Sequence, residues 1–218
     1  MRCSSSFENE ARKLGYLAVA GVDEAGRGAL FGSVVAAAVI LNPERLVRGL
    51  NDSKQLSPEV RQELASAIKE KSVAWSTGAA DAAEIDRVNI YQASRLAMKR
   101  AVEALPVKPD YLLIDAMRID IPLPQESLIK GDARSRAIAA ASIIAKVHRD
   151  ECMRQWDSIY PEYGFARHKG YGAPEHLRAL ETHGPTPLHR FSYEPVRRLG
   201  PQQMEQQTLS FEEAGARS

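Results

Sequence analysis

Residues 17–41 read LAVAGVDEAGRGALFGSVVAAAVIL, and two apolar runs of strand length flank a polar, glycine-containing centre in this stretch. The runs are Leu17–Val22 and Val34–Leu41, and each is typical of a buried strand. Glycines at positions 26, 28 and 32 suit a hairpin connection between them. The stretch therefore predicts two adjacent strands, with the acidic pair Asp23-Glu24 at the end of the first.

Strand and helix signals alternate along the rest of the chain. Ser57 followed by Pro58 is typical of a helix start, because serine caps the helix and proline fits its first position. The predicted elements after the hairpin are a helix to about Lys71, a strand at Ser72–Thr77, a helix at Ile90–Leu105, strands at Tyr111–Ile114 and Ser127–Lys130, and an alanine-rich helix at about Ala133–Arg154. This interleaving favours an α/β layered domain with a helical C-terminal part.

Length and composition limit the class of protein. The chain has 218 residues, 44% of them hydrophobic and 26% charged, which excludes disordered, collagenous and coiled-coil proteins. We predict one domain over residues 14–199, with flexible tails at 1–13 and 200–218. Cys3 and Cys152 are too few for a disulfide framework, and neither a secretory signal nor a membrane-spanning run is present, so we predict a cytoplasmic protein.

The charges are nearly balanced overall, with 29 basic and 28 acidic residues, but they are unevenly distributed. Residues 130–149 contain five basic side chains and a single acid before Asp150. Residues 167–190 contain four more basic side chains and four of the five histidines. Such local excess can bind a polyanion without a basic isoelectric point.

Four carboxylates are candidates for chemistry. Asp23 and Asp115 each follow an apolar run, and carboxylates from adjacent strand ends can together bind Mg²⁺ or Mn²⁺. Asp115 also fits a turn or salt-bridge role, and Asp132 fits a helix cap. Strand alternation sends Glu24 to the face opposite Asp23, so Glu24 joins a shared metal site only if the strand bends or ends there.

Other motifs keep alternative interpretations. Gly26-Arg27-Gly28 is suited to gripping a phosphate, and equally to a tight turn. The histidines at 168, 176, 183 and 189 lack zinc-binding spacing, which favours phosphate contacts, caps or packing. Tyr171 fits a packing aromatic residue.

Six motifs occur in an order that resembles bacterial ribonuclease HII, over roughly residues 16–198. They are Gly21–Gly28 (GVDEAGRG), Asp52–Ser57 (DSKQLS), Leu113–Ala116 (LIDA), Lys130–Asp132 (KGD), Ile138–Asp150 (IAAASIIAKVHRD) and His168–Tyr171 (HKGY). Ala29, Ser33 and Gly172-Ala173 depart from the family pattern, which puts in doubt the rigidity of the glycine loop and the seating of Tyr171. All four acids are intact.

The resemblance implies an RNase H-like fold, in which helices flank a five-stranded mixed sheet and a helical extension follows. It also implies an endoribonuclease that cuts the RNA strand of RNA–DNA hybrids, and that cuts 5′ of ribonucleotides embedded in duplex DNA. Products with 3′-hydroxyl and 5′-phosphate ends, and a role in removing misincorporated ribonucleotides and primer RNA, are expected. Asp23, Glu24, Asp115 and Asp132 are the implied ligands of two divalent ions, Mn²⁺ or Mg²⁺.

The same resemblance assigns residues to substrate binding. Gly26, Arg27, Gly28 and Tyr171 match the part of the family that senses the 2′-hydroxyl, the group that distinguishes ribose from deoxyribose. The candidate phosphate contacts are Lys54, Ser142, Lys146, Arg149, His168 and Lys169.

Two functional classes remain as alternatives, namely a type HIII ribonuclease and a nucleic-acid-binding protein without catalysis. The residues before the first strand are too few for the extra N-terminal domain of type HIII, and the intact acids argue against the second class. The C-terminal sequence QQTLSF resembles peptides that dock into the bacterial sliding clamp, with Gln206, Leu209 and Phe211 as its anchors. A random polar tail is the alternative. Nothing indicates more than a monomer.

Overall fold

A computed structural model describes residues 3–199 as a five-stranded sheet with helices on both faces. The strands are β1 (Val19–Ala25), β2 (Val34–Ile40), β3 (Ala74–Ala80), β4 (Tyr111–Asp115) and β5 (Gln125–Leu128). The helices are α1 (Ser6–Lys13), α2 (Pro58–Lys71), α3 (Ala82–Glu103), α4 (Arg136–Ile159), α5 (Phe165–His168), α6 (Pro174–His183) and α7 (Glu194–Arg197). Every helix between residues 3 and 199 is too short or too polar to span a bilayer.

The sheet is mixed, with the order β3-β2-β1-β4-β5. The predicted hairpin is confirmed, because β1 and β2 pair antiparallel with Asp23 opposite Ala37. β3 continues antiparallel from β2, whereas β4 pairs parallel with β1 and β5 parallel with β4. The observed sheet and its flanking helices confirm the predicted fold class.

Two layers of helix cover the sheet. On one face α3 contributes Ala93, Ala97 and Met98 to a fully buried cluster with Val22 and other strand residues. On the other face lie α2 and the alanine-rich α4. The helix α4 lies so close to β1 that a Cβ on Gly21 would be 2.0 Å from the backbone carbon of Ala137.

The chain after α4 forms a smaller layer with its own core. Phe31, from the loop between β1 and β2, packs in this core with Phe165 at a ring-centroid distance of 3.9 Å. Tyr163, Leu180 and Val196 are among the other buried residues of this core. The C-terminal layer is thereby fixed to the β1–β2 loop, which carries Gly26-Arg27-Gly28.

Several predicted boundaries shift in the structure. The helix expected from Ile90 begins at Ala82, with a break at Asn89 (φ 67°), so the sequence pattern captured only its second segment. The helix α4 starts at Arg136 behind a Ser135 cap, three residues later than predicted. The strand expected at Ser127–Lys130 is Gln125–Leu128, and Lys130 instead adopts a left-handed conformation (φ 55°).

The prediction of a flexible segment at residues 1–13 is wrong for its helical part. Residues 6–13 form α1, and Glu8 is buried with 3% exposure. The Glu8 carboxylate accepts hydrogen bonds from Ser135 Oγ and from the Ala137 N–H, both at 2.7 Å. These charge-assisted bonds at the start of α4 hold α1 against the domain.

Candidate active site

The candidate site begins where two parallel strands separate. The pairing of β1 with β4 ends at Val22 and Ile114, directly before Asp23 and Asp115. Beyond this point β1 follows β2 and β4 follows β5, so a crevice opens between the strand ends. Ligands of open α/β sheets commonly bind at such a crevice.

A cleft of about 510 Å³ occupies this position and brings together most of the predicted site residues. Those that line it are Asp23, Glu24, Gly26, Arg27, Gly28, Lys54, Asp115, Ser142, Lys146 and Tyr171. They come from five separate parts of the sequence.

Glu24 lines the cleft despite the alternation of β1. It is the second-last residue of the strand, where the sheet has already opened, so side chains from either face reach the crevice. Glu24 Oε1 lies 3.4 Å from Arg27 Nη1, and Glu24 Oε2 is buried without a hydrogen-bond partner. The pairing of β1 with β4 ends before Glu24, although β1 itself continues beside β2 to Ala25.

Asp132 does not line the cleft itself but lies next to Lys54, which does, in a short 3-10 turn before α4. Its Oδ2 is 4.0 Å from Lys54 Nζ, and its Oδ1 accepts a hydrogen bond from the Ala133 N–H at 2.9 Å. The Gly131 N–H beside it donates to Asp115 Oδ1 at 2.7 Å, which connects the two acids.

The carboxylates shift one another's protonation. Burial raises the pKa of Asp23, and repulsion by Glu24 and Asp115 adds to the rise. Burial also raises the pKa of Glu24, against the attraction of Arg27. The pKa values of Asp115 and Asp132 are raised as well, first by burial. Burial therefore disfavours the charged form of each carboxylate, and a bound cation would offset that cost.

The donor set fits a divalent metal ion. Its ligands are hard oxygens, and one of them, Glu24 Oε2, is buried with no other partner. Among residues 3–199, no group of three or more His, Cys, Asp or Glu side chains is already arranged to hold an ion. The acids therefore surround the crevice without forming a closed coordination shell.

Arg149 does not line the cleft, contrary to its predicted phosphate contact. It is 1% exposed, and its guanidinium donates to the carbonyl oxygens of Phe31, Ser33 and Lys169. With three backbone partners it lies beneath the site. The sequence indicated a basic side chain in this region. It could not show that the side chain already donates its hydrogen bonds to carbonyl oxygens of the protein itself.

His168 and Lys169 are also turned inward. His168 contacts the Tyr163 carbonyl oxygen at 2.8 Å, and Lys169 Nζ donates to the carbonyl of Ala166. Neither residue lines the cleft. In contrast, Ser53 does line it, and its hydroxyl lies 2.8 Å from that of Ser142. Ser53 stands inside the DSKQLS motif, which was the one available signal for its role.

Comparison with known proteins agrees with this geometry. The family model for ribonuclease HII matches residues 20–196. A ribonuclease HII of Solibacter usitatus is 60% identical over 99% of this chain and 95% of its own length. The chain belongs to the ribonuclease HII family. Ribonuclease HII cleaves RNA–DNA hybrids as a metal-dependent endoribonuclease.

Solved structures of related enzymes share the fold. The ribonuclease H2 of Pyrococcus horikoshii has a TM-score of 0.72 at 26% identity, over 84% of this chain and 97% of that one. A ribonuclease HII of Archaeoglobus fulgidus, solved in complex with PCNA, has a TM-score of 0.69 at 25% identity, over 82% of this chain and 96% of that one. Bst-RNase HIII, solved with Mn²⁺, has a TM-score of 0.62 at 22% identity, over 87% of this chain and 71% of that one.

Proposed function

We propose that this chain cuts on the 5′ side of ribonucleotides embedded in duplex DNA, as well as within RNA–DNA hybrids. The products carry 3′-hydroxyl and 5′-phosphate ends, and the activity removes misincorporated ribonucleotides and primer RNA. The observation that carries the proposal is that one cleft brings acids from two strand ends together with a glycine loop and an aromatic side chain.

In this proposal Asp23, Glu24, Asp115 and Asp132 hold two divalent ions, Mg²⁺ or Mn²⁺. Such ions, when bound, make a water nucleophilic and neutralise charge on the leaving 3′-oxygen. The protein contributes the negative charge that holds them, and repulsion by Glu24 and Asp115 adds to the rise that burial causes in the pKa of Asp23. Asp23 and Glu24 enter from β1, whereas Asp115 and Asp132 enter from the other side of the crevice.

Recognition of the 2′-hydroxyl is assigned to Gly26-Arg27-Gly28 and Tyr171. Ala29 and Tyr171 form an antiparallel bridge, so the backbone of the loop is paired with the segment that carries the aromatic residue. Tyr171 is 36% exposed, which leaves its ring free to contact a sugar. The cations Lys146 and Arg149 lie 5.8 and 5.5 Å from the ring centroid and favour its orientation.

Lys54, Lys146 and Ser142 are the proposed phosphate contacts. The side chain of Lys54 is 84% exposed at the cleft, close enough to Asp132 to meet a phosphate held beside the metal site. Lys146 Nζ is paired with Asp150 at 2.7 Å, and a substrate phosphate competes with that pair. Ser142 is buried and reaches the cleft through its hydroxyl.

One assay tests the cleavage proposal. The protein is incubated with Mg²⁺ or Mn²⁺ and either a DNA duplex with one ribonucleotide or a long RNA–DNA hybrid. We expect cleavage 5′ of the single ribonucleotide. Cleavage of the hybrid alone supports a type HIII specificity, and binding without cleavage supports a non-catalytic protein. Either result contradicts the proposal.

We also propose that Gln206, Leu209 and Phe211 dock into the bacterial sliding clamp. These residues lie outside the described part of the chain, so the proposal rests on the QQTLSF sequence and on the solved archaeal complex of a ribonuclease HII with PCNA. Changing Leu209 and Phe211 to Ala should abolish capture by purified clamp and leave cleavage intact. Unchanged capture, or no capture of the wild type, contradicts the docking.

A further inference from the structure

Two histidines of the C-terminal layer lie behind Tyr171 and have no role in the proposal above. His176 is on α6 and His189 is in the following loop, and both are 0% exposed. Neither lines the cleft. Their ring Nε2 atoms are 3.0 Å apart, and each ring uses its Nδ1 atom for a second partner.

The protonation of this pair follows from a single backbone donor. A backbone N–H can only donate, and the Thr186 N–H points at His189 Nδ1 at 2.9 Å. Neutral His189 must therefore carry its proton on Nε2, where it donates to His176 Nε2. His176 in turn carries its proton on Nδ1 and donates it to the Tyr171 carbonyl oxygen at 2.9 Å. The direction of all three hydrogen bonds is fixed.

A third histidine holds the other side of the same segment. His168 Nδ1 accepts a hydrogen bond from the Gly170 N–H at 3.2 Å, and its carbonyl accepts one from the Tyr171 N–H at 3.0 Å. Its ring stacks on that of His176 with centroids 4.7 Å apart. Since the Gly170 carbonyl accepts from the Leu30 N–H at 2.8 Å, the backbone polar groups of Gly170 and Tyr171 all have partners.

We propose that His176 and His189 form a neutral hydrogen-bond relay of fixed direction that positions Tyr171 against the glycine loop and so sets the preference for an embedded ribonucleotide. The inference rests on the proposed role of Tyr171 in sensing the 2′-hydroxyl. His176 and His189 act through the Tyr171 backbone and are positioning residues, because they do not reach the cleft themselves.

The surroundings keep the relay neutral. Burial, with a smaller contribution from repulsion by His176, lowers the pKa of His189 to about 3. Burial lowers the pKa of His176 to about 4, against the hydrogen bond to Tyr171. A second proton on His189 would set its Nδ1–H against the Thr186 N–H, so protonation breaks the relay at its first bond.

Two amide variants of His176 test the hydrogen bonds of its two ring nitrogens separately. His176→Asn places an NH₂ group near the Nδ1 position and keeps the donor to the Tyr171 carbonyl. His176→Gln places its amide near Nε2, keeps the contact to His189 and loses that donor. We expect His176→Asn to retain the wild-type ratio of kcat/KM for a single ribonucleotide over a long hybrid, and His176→Gln to lose about tenfold in that ratio. Equal ratios in the two variants overturn the positioning role.

A measurement on the wild-type protein tests the relay without cleavage. Nitrogen-15 NMR of the histidine rings distinguishes the Nδ1–H and Nε2–H forms. We expect His189 to carry Nε2–H and His176 to carry Nδ1–H from pH 8 to pH 5.5, in metal-free protein. Another tautomer at His176, or titration of His176 or His189 within that range, overturns the relay. Failure of the wild type to cut at single ribonucleotides instead overturns the proposed function, so the two failures are distinguishable.

Discussion

Arg149 lies against Gly26 so closely that a Cβ on Gly26 would be 1.9 Å from Arg149 Nε. The guanidinium cannot withdraw without giving up the carbonyl oxygens of Phe31 and Lys169, to which it donates at 3.1 and 2.8 Å. Gly26 also has φ +95°, a conformation that disfavours any side chain. A buried arginine thus fixes the glycine loop from below and connects it to the segment that carries Tyr171.

Gly26→Ala should therefore destabilise the domain. The added methyl group meets a side chain held by three carbonyls, and the backbone is strained in addition, so we expect a loss of about 2–4 kcal/mol in the free energy of unfolding. Denaturant titration measures it. Gly28→Ala is the matched control, because its Cβ meets only Tyr171 Cε1, at 3.9 Å, and we expect its stability to stay within about 0.5 kcal/mol of wild type. Equal losses in the two variants would contradict this account.

Arg149 and Lys54 should differ in how they affect binding to nucleic acid. Lys54 is exposed at the cleft, so Lys54→Ala should lower the slope of log Kd against log salt by about 0.9, the loss of one phosphate contact. Arg149→Met should leave the slope unchanged, because the guanidinium is buried and all its hydrogen bonds go to protein carbonyl oxygens. Fluorescence anisotropy with an RNA–DNA hybrid in chelator measures both slopes. A reduced slope in Arg149→Met would contradict this expectation and support the phosphate contact that the sequence predicted for Arg149.

Asp23→Asn should remove cleavage while stabilising the metal-free protein. Loss of one metal ligand costs on the order of 10³-fold or more in rate. Burial and the neighbouring carboxylates disfavour the charged form of Asp23, and the amide removes this cost while Oδ1 can still accept the Glu24 N–H. We expect a rise in Tm of about 2–4 °C, corresponding to ~1 kcal/mol.

The exposed Asp120 provides the control for this prediction, since Asp120→Asn removes an equal charge outside the cleft. Adding Mg²⁺ or Mn²⁺ should raise the Tm of wild type and of Asp120→Asn more than that of Asp23→Asn. A metal-free Asp23→Asn protein that is less stable than wild type would show that the carboxylate is a structural residue.

The sequence predicted those features of the structure that depend on residues close together in the chain. The hairpin of β1 and β2, the Ser57 cap of α2 and the position of Asp115 after an apolar run are all readable from neighbouring residues. Whether the Glu24 side chain reaches the cleft could not be predicted from the sequence, because it depends on where β1 and β4 stop pairing.

Long-range polar contacts account for the other differences. Glu8 finds its partners 127 and 129 residues away, and Arg149 finds the Phe31 carbonyl 118 residues away. No periodicity in the chain marks such pairs, so α1 was predicted to be flexible and Arg149 was predicted to face substrate. His176 and His189 carry no spacing signal either, since their roles depend on the backbone of Thr186 and Tyr171.

The histidine pair should make stability depend on pH in a direction that is fixed by its pKa values. The folded-state values are about 4 for His176 and about 3 for His189, against 6.5 for an unperturbed histidine. Between pH 6.5 and about 4 the unfolded chain binds protons that the folded chain does not, so this contribution to stability falls as the pH falls. Each histidine contributes a slope of up to about 1.4 kcal/mol per pH unit.

The acidic cleft contributes the opposite sign, because Asp23 and Glu24 have raised pKa values and gain protons in the folded state first. The two effects are separated by comparing how steeply the free energy of unfolding changes with pH in a variant and in wild type, rather than by comparing the free energies themselves. His189→Gln removes one depressed histidine and leaves the carboxylates in place, so its free energy of unfolding should fall less steeply than that of wild type between pH 6.5 and 4.5. Denaturant titrations of the metal-free proteins across this range measure the difference. Parallel curves would mean that His189 gains its proton equally in the folded and unfolded chain, and the neutral pair behind Tyr171 would not exist.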